Sequence, residues 1–190
     1  MVIRNAFLYN RIMVINCEMC EKSFSSDGAR GRTASFCSSA CRQRAYRRRK
    51  SALKRSVDAL VSVSEGRWVR ADGKRPIMRD GSPASSTDPA TWTSFENVRG
   101  GAGDGFGVML GSGLSCYDFD DCFDGGALKP EIRSFIESIP ERVIFSEVSV
   151  SGRGLHVFVV APEGRGSRRG GVEFYSRARF IRTTLNQFVI

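Results

Sequence analysis

Two aspartates separated by a single residue are the first candidates for chemistry in this chain. A strand over residues 115–120 would place Asp118 and Asp120 on one face and the aromatic residues beside them on the other. Neighbouring carboxylates repel each other unless a cation lies between them, and carboxylate oxygens are preferred ligands of Mg²⁺ and Mn²⁺. The alternative interpretation is the solvated face of an edge strand. The pair therefore favours a divalent-metal site if further ligands join it.

A third acidic residue has an apolar setting. Glu173 lies in the segment Gly-Gly-Val-Glu-Phe-Tyr, residues 170–175, which reads as a short strand. A charge inside such a strand is costly unless a cation pairs with it. The alternative is an edge-strand residue that points to water. The segment thus offers a candidate third metal ligand.

The only histidine of the chain ends a glycine-rich turn. The segment Ser-Gly-Arg-Gly-Leu-His, residues 151–156, joins two predicted strands. Glycines allow backbone N–H groups to approach a phosphate, and His156 then shares a strand face with Phe158 and Val160. A single histidine on a strand is otherwise a half-buried core residue. The turn is a candidate phosphate-binding element.

Cysteines supply a second type of site. Two residues separate the first pair, three separate the second, and sixteen lie between the pairs. Four thiolates at this spacing can close a tetrahedral, structural zinc site, with a helix beginning near the second pair. Two disulfides are the alternative, although a cytosolic chain would keep its thiols reduced. Cys116 and Cys122 fall outside the pattern and are expected to be buried small residues. The predicted zinc ligands are Cys17, Cys20, Cys37 and Cys41.

Positive charge is concentrated in one segment. The net charge is +9, from 29 basic and 20 acidic residues, and ten of the basic residues but no acidic one lie within residues 30–55. The other 19 basic residues nearly balance the 20 acidic ones. Such a block binds phosphate backbones, whereas a solvated helix face or an anionic membrane surface are the alternatives. The predicted nucleic-acid contacts are Arg42, Arg44, Arg47, Arg48, Arg49 and Lys50.

The elements that must position these residues are short. Strands are predicted at 106–110, 115–120, 143–149, 155–160 and 172–175, with loops over 72–91 and 100–107. One helix is predicted from Pro130, with Ile132, Phe135, Ile136 and Ile139 on one face. This order predicts an α+β fold with a mainly antiparallel sheet, flanking helices and a small zinc module before it.

The predicted organisation has four parts. Residues 1–16 are expected to be a leader, residues 17–50 the zinc finger with its basic helix, residues 51–66 a helix tail and linker, and residues 67–190 the main domain. Met13 is an alternative start. Hydrophobic residues make up 41% of the chain and charged residues 26%, values typical of a globular protein. With no long apolar run and no targeting segment, we expect a cytoplasmic protein without membrane contact.

The ordered motifs resemble those of a known superfamily. Asp-x-Asp, then Ser-Gly-x-Gly-x-His, then Gly-Gly-x-Glu-x-Tyr are similar to the catalytic core of archaeo-eukaryotic-type primases over most of residues 68–184. The bifunctional primase/polymerase domain of phages and plasmids is the nearest match, with Lys74-Arg-Pro and Thr87-Asp-Pro resembling its lead-in. The cysteine module resembles a treble-clef-like zinc finger.

The resemblance implies a DNA primase/polymerase that performs nucleotidyl transfer. It assigns Mg²⁺ or Mn²⁺ to Asp118, Asp120 and Glu173, with Zn²⁺ as the structural ion. His156 matches the histidine that contacts the incoming nucleotide, and the role of Arg179 stays open. The implied nucleotide-binding residues are Ser151, Arg153, His156, Arg168 and Arg169.

Single-stranded DNA template and nucleoside triphosphates are the implied partners, and a replicative helicase is a further candidate. Two other functions stay open. The first is a non-catalytic zinc-finger protein of replication or regulation that keeps a primase-like fold. The second is a metal-dependent nuclease built on the same acidic residues. Primer extension, strand shortening or binding alone would distinguish the three functions.

Overall fold

The computed structural model describes residues 12–27 and 34–190, so Arg30 and Arg32 of the basic segment lie outside the described residues. The chain divides into two compact units, Met1–Leu53 and Lys54–Ile190.

A short hairpin and the beginning of a long helix form the first unit. Strand β1 (Ile12–Asn16) pairs antiparallel with β2 (Ser23–Asp27), and helix α1 (Ser39–Val63) follows. The Ser38 hydroxyl accepts a hydrogen bond of 3.2 Å from the N–H of Cys41 and so caps the helix. The helix begins close to the position predicted from the sequence.

Two segments of the predicted organisation include regular elements, and the helix tail predicted within residues 51–66 is present. We expected residues 1–16 to be a leader, but residues 12–16 form β1 and pair with β2, while residues 1–11 lie outside the described part of the chain. We expected residues 51–66 to be a helix tail and linker. Helix α1 runs through most of that segment, and Leu60 is fully buried in the core of the second unit. Its apolar residues therefore serve packing rather than a free connection.

The second unit is built mainly from short antiparallel strands, and the predicted α+β class is confirmed. Its elements in chain order are β3 (Trp68–Asp72), β4 (Arg75–Ile77), a 3₁₀ turn (Pro89–Thr91), α2 (Phe95–Val98), β5 (Gly105–Met109), β6 (Leu114–Phe119), β7 (Phe123–Asp124), β8 (Ala127–Leu128), α3 (Pro130–Glu137), β9 (Arg142–Val148), β10 (Leu155–Val160), β11 (Ser167–Arg169), β12 (Val172–Tyr175) and β13 (Phe180–Thr183).

Two larger sheets organise these strands. One has five strands in the order β11-β12-β6-β10-β9, and the other has four in the order β13-β5-β3-β4. All neighbouring strands in both sheets are antiparallel. Strand β6 lies at the centre of the five-stranded sheet, so residues on both of its neighbours can meet its side chains.

Both faces of the five-stranded sheet are buried. One face contributes Cys116 and Phe158 to a core that includes residues of α1 and of the four-stranded sheet. The other face contributes Phe119 to a core that includes Ile136 of α3. Cys122 is buried in this second core, so both cysteines outside the paired set are buried as predicted. The residues of β6 therefore alternate between the two cores, as the predicted alternation requires.

Strands β5, β6, β9, β10 and β12 and helix α3 confirm the elements predicted from alternation and turn residues. The strands of the second unit that were missed are β3, β4, β7, β8, β11 and β13. Residues 72–91, expected to be mostly loop, include β4, and the loop expected over residues 100–107 ends in β5. Strand β3 lacks the expected alternation because Arg70 is buried. Its guanidinium donates to backbone carbonyls of the end of α2 and of the loop before β5. Within the described residues, no helix has both the length and the apolar character needed to cross a membrane.

Candidate active site and cysteine cluster

A row of polar and charged residues crosses the whole five-stranded sheet. Asp118 on β6 lies directly opposite His156 on β10 and Glu173 on β12. The row continues outward, since His156 pairs with Glu147 on β9 and Glu173 pairs with Arg168 on β11. Directly opposed residues of antiparallel strands project from the same face, so all five side chains share one face. Strand register alone thus brings together residues from three sequence motifs.

The neighbouring row on the same face is apolar. Tyr175, Cys116, Phe158 and Phe145 are opposed across β12, β6, β10 and β9 and pack in one core. This packing fixes the strands that carry the polar row, because a slip of one residue would turn the charged side chains into the apolar core on the other face of the sheet.

Asp118 has the least complete electrostatic compensation in the row. Its side chain is 24% exposed, and its Oδ1 lies 3.7 Å from Nε2 of His156. Burial raises the pKa of Asp118, the charges of Asp120 and Glu173 raise it further, and those of His156 and Arg179 oppose the rise. Burial and two neighbouring carboxylates thus make the negative charge of Asp118 unfavourable. A bound cation would offset this electrostatic cost.

Asp120 lies just beyond the end of β6. Its backbone N–H donates to the carbonyl of Gly171 (3.1 Å), and its side chain is exposed beside the same cavity as Asp118. Asp121, which follows, has a φ of 42° and pairs with Arg153 at 3.1 Å. Asp121 adopts a left-handed backbone conformation, which turns the chain sharply at this point. Both aspartates of the motif therefore line the cavity, one from the strand and one from the turn.

Glu173 is buried rather than directed to water. Glu173 is 8% exposed, and β12 lies between β11 and β6 rather than at the edge of the sheet. Arg168 pairs with it at 2.8 Å, the Tyr175 hydroxyl donates to it at 2.5 Å, and Arg179 lies 4.0 Å away. The solvent-facing alternative for this residue is therefore wrong. Its carboxylate charge is already shared with two arginines.

The donor chemistry of these residues fits a hard divalent cation, since Asp118, Asp120 and Glu173 offer only oxygen atoms. The three carboxylates are neighbours without forming a closed cluster. In the described part of the chain, ligand atoms of three or more such residues come within 4.8 Å of one another only at the cysteines. Arg168 and Tyr175 hold Glu173 in the present arrangement.

A cavity of about 660 Å³ opens beside the polar row, between the two larger sheets. It contains Asp118, Asp120 and His156 from the five-stranded sheet and its adjoining turn, and the four-stranded sheet contributes Lys74 from the β3–β4 turn. Cationic side chains thus face the acidic ones across the opening. The remaining polar lining residues are Ser86, Ser149, Ser151, Arg179 and Arg182.

The glycine-rich turn between β9 and β10 lies at the cavity edge. The hydroxyls of Ser149 and Ser151 are 3.1 Å apart, and each accepts a backbone N–H of the turn, from Gly154 (3.1 Å) and Arg153 (3.3 Å) respectively. Gly152 has a φ of +73°, which a residue with a side chain rarely adopts. The turn therefore presents two hydroxyl groups at the cavity, but the Arg153 guanidinium is turned toward Asp121.

The arginines predicted to bind nucleotide do not share one location. Arg168 belongs to the polar row, whereas Arg169, one residue along β11, projects from the opposite face. Arg179 lines the cavity and stacks on the Tyr175 ring, with 4.4 Å between its guanidinium carbon and the ring centre. Arg179, whose role the resemblance left open, is therefore better placed than Arg168 or Arg169 for a ligand in the cavity.

Glu147 was missed by the sequence analysis. It is fully buried, and its Oε1 lies 2.9 Å from Nδ1 of His156. A usable signal was present, because a single acidic residue interrupts an otherwise apolar predicted strand, as Glu173 does. The cost of a buried charge without a partner applies to Glu147 as it does to Glu173.

Four sulfur atoms form a separate cluster in the first unit. The sulfurs of Cys17, Cys20, Cys37 and Cys41 all lie within 4.8 Å of one another, and none belongs to a disulfide. Burial opposes ionisation of Cys17, but hydrogen bonds from the backbone N–H groups of Cys37, Met19 and Cys20 lower its pKa to about 6. Hydrogen bonds with Cys20, Cys41 and Cys17 raise the pKa of the Cys37 thiol to about 12. Thiolate-favouring N–H groups and four convergent sulfurs are what a tetrahedral zinc site needs.

The first half of helix α1 carries the basic residues. Those predicted to contact nucleic acid are all exposed, while Ala45 among them is buried. At 100° per residue their positions spread round most of the helix axis, so they form a general positive surface rather than one reading face. The residues concerned are Arg42, Arg44, Arg47, Arg48, Arg49 and Lys50.

These features define an α+β domain with a polar cleft of mixed charge between two antiparallel sheets, preceded in the sequence by a cysteine cluster. A family model for the N-terminal domain of bifunctional DNA primase/polymerases matches residues 51–182, and the chain belongs to this family. The resemblance predicted from the motifs is thereby confirmed. The match includes the whole polar row and begins within α1. None of the curated proteins compared with the chain matches it.

Proposed function

We propose that this protein is a DNA primase/polymerase that transfers nucleotides onto a strand paired with a single-stranded DNA template. The observation that carries the proposal is the register pairing of Asp118 with both His156 and Glu173 beside a cavity, in a chain of the primase/polymerase family. Family membership supports the chemistry, and the convergence of the three motifs supports its location.

In this proposal Asp118, Asp120 and Glu173 hold two divalent cations, Mg²⁺ or Mn²⁺. When bound, such ions lower the pKa of the attacking 3′-hydroxyl group and stabilise the charge of the leaving pyrophosphate. The protein supplies oxygen ligands of high negative charge density, and binding a cation would reverse the electrostatic penalty on Asp118.

The same cavity offers groups for the triphosphate. His156, the hydroxyls of Ser149 and Ser151, and Arg179 lie along its wall and can donate to or attract phosphate oxygens. Arg153, Arg168 and Arg169 remain proposed nucleotide contacts. For the first two, the ion pairs with Asp121 and Glu173 would have to open.

The cysteine cluster is proposed to hold one structural Zn²⁺, because four protein ligands leave no position for a substrate. The basic residues of α1 are proposed to hold template through its phosphates, largely without reading sequence. A phage or plasmid origin, a helicase partner and a cytoplasmic location remain predictions.

The test is nucleotide incorporation by the full chain on primed and unprimed single-stranded templates, with Mg²⁺ or Mn²⁺. We expect the primer to lengthen. Asp118→Asn combined with Asp120→Asn should lower the rate by about 10³-fold or more, since charge stabilisation is the main catalytic contribution. Asp124→Asn, an exposed carboxylate of β7, is the matched control and should retain activity.

Other outcomes separate the alternative functions. A labelled strand that shortens would indicate the nuclease. Tight template binding with no change in strand length would indicate a non-catalytic binding protein. A double variant that still extends primers would remove the proposed metal ligands from the reaction.

A further inference from the structure

We propose that Glu147 is a positioning residue that holds His156 by Nδ1 and so reserves Nε2 for the nucleotide. The role in nucleotide binding rests on the proposed function. The hydrogen-bonding arrangement itself does not, and it can be tested separately.

Glu147 has no exposed surface, and its two oxygens have different tasks. Oε1 lies 2.9 Å from Nδ1 of His156. Oε2 accepts from the Thr183 hydroxyl (2.6 Å) and from the backbone N–H groups of Thr184 (2.9 Å) and Leu185 (2.7 Å), and the Thr184 hydroxyl lies 3.3 Å away. A buried carboxylate is tolerated when its oxygens are satisfied in this way. Several donors thus fix one oxygen, and the other oxygen fixes the imidazole.

This arrangement determines which ring nitrogen carries a proton. An ionised carboxylate can only accept, so Nδ1 of His156 must donate to Glu147. Nε2 is then the nitrogen that remains for a ligand, and it faces Asp118 at 3.7 Å on the cavity side. Phosphate oxygens only accept hydrogen bonds, so a phosphate at Nε2 binds the doubly protonated ring while Glu147 accepts from Nδ1. Because Thr183 belongs to β13, the carboxylate also ties the histidine to the second sheet that lines the cavity.

Glu147→Gln should reverse the proton arrangement. The donors around Oε2 require an acceptor, so the carboxamide oxygen must take that position and its NH₂ group must face the ring. Nδ1 would then have to accept, and the ring proton would move to Nε2. A purely structural role for Glu147 predicts no such change.

The chain contains one histidine, so its ring signals need no assignment. We would label the full chain with ¹⁵N-histidine, remove any purification tag, and record two-bond ¹H–¹⁵N spectra at a pH where the ring is neutral. The wild-type protein should show the proton on Nδ1, and Glu147→Gln should show it on Nε2. Glu141→Gln is the control, because Glu141 accepts from Tyr117 on the opposite face, and it should keep the wild-type spectrum.

A wild-type spectrum with the proton on Nε2 would overturn the proposal, even if Glu147→Gln does not fold. Unfolding of that variant would be detected by circular dichroism. A folded variant with an unchanged tautomer would overturn the proposal as well.

The kinetic arm measures incorporation by the single and double variants. Glu147→Gln should raise the KM for nucleotide by about tenfold with a smaller change in kcat, because the carboxamide NH₂ at Nδ1 prevents the double protonation that gives the ring its positive charge. In a His156→Ala background it should add less than about twofold, because residues that act through one another are not additive. Independent effects would reject the positioning role while leaving the polymerase assignment intact. A wild-type protein that shows the expected tautomer but incorporates no nucleotide would reject the function and keep the hydrogen bond.

Discussion

Three carboxylates of the polar row have three different environments. Glu147 is satisfied by donors on both oxygens, and Glu173 is paired with Arg168. Asp118 has an ion pair with His156 at 3.7 Å and a smaller favourable effect of Arg179, and it carries the repulsion of its acidic neighbours. Residues of the same type on one sheet face therefore differ in how costly their charge is. The carboxylate with the least compensation is the one beside the cavity.

This difference predicts that removing the Asp118 charge stabilises the protein without metal. Burial raises the pKa of Asp118 above its ordinary value of 3.8 in the folded state, so folding disfavours the ionised form. Wild-type stability should thus fall as pH rises from 3.8 through the raised pKa. Asp118→Asn should raise the melting temperature by a few degrees at neutral pH, and the gain should vanish as pH falls below 3.8. Thermal unfolding in chelator across this pH range measures it.

Added Mg²⁺ or Mn²⁺ should make the wild-type protein the more stable of the two. The metal should raise the melting temperature of the wild-type protein more than that of Asp118→Asn. Asp124→Asn should respond to metal as the wild-type protein does. If Asp118→Asn were less stable than wild type at neutral pH and insensitive to pH, the carboxylate would have a structural role.

At the scale of elements, helix α1 has three different roles along its length. Near its start Cys41 belongs to the sulfur cluster, and Ser38 caps the first turn. Near its end Leu60 is buried in the core of the second unit. The exposed basic residues lie between these two anchors. One continuous element therefore carries a residue of the sulfur cluster, a charged surface and a core residue.

Loss of one cysteine ligand should affect the first unit alone. Metal binding and folding are coupled in small zinc modules, so Cys41→Ser should release zinc and unfold the hairpin and the neighbouring cluster. The sheets of the second unit have their own cores and should keep their far-ultraviolet circular dichroism. Zinc per chain, measured by mass spectrometry, should fall from one to well below one.

Cys122→Ala serves as the matched control, since this buried cysteine lies outside the cluster and its loss should leave zinc content unchanged. A Cys41→Ser protein with one zinc of unchanged affinity would contradict the assignment.

For the whole molecule, the important feature is the uneven distribution of charge. The segment 30–55 carries ten positive charges, and the remaining residues are nearly neutral. The family match begins at residue 51, so the exposed arginines of 42–50 precede it. The positive surface is thus an addition to the family domain in this chain. Its placement favours electrostatic capture of template rather than chemistry.

Replacing Arg47, Arg48 and Arg49 with Ala should therefore weaken DNA binding equally for all sequences. Each lost phosphate contact on single-stranded DNA lowers the slope of log K against log salt by about 0.7, so the slope should fall by up to about two. Fluorescence anisotropy over a salt series measures this. Removing three exposed arginines elsewhere, at 99, 133 and 142, is the control for net charge and should change the slope less. Selective loss of binding to one sequence would instead indicate base recognition.

The sequence alone determined those features that depend on near neighbours. The alternation of residues along β6 predicted that the Asp118 side chain lies on the face opposite to its aromatic neighbours. Short apolar runs bounded by glycine predicted β10 and β12. The spacing of Cys17 to Cys41 indicated the sulfur cluster, because two ligand pairs within one small module need little long-range information. Local pattern was also enough for the family resemblance.

Only the tertiary structure decided which strands are neighbours. That Glu173 and His156 lie on opposite sides of Asp118 depends on strand order and register, which distant residues set through core packing. The environments of Glu147 and Arg70 also depend on the tertiary structure. Their burial is tolerated because backbone groups remote in sequence form hydrogen bonds with their charged side chains. A buried charge has no local signature of its partners. Its environment exists only once the sheets have formed.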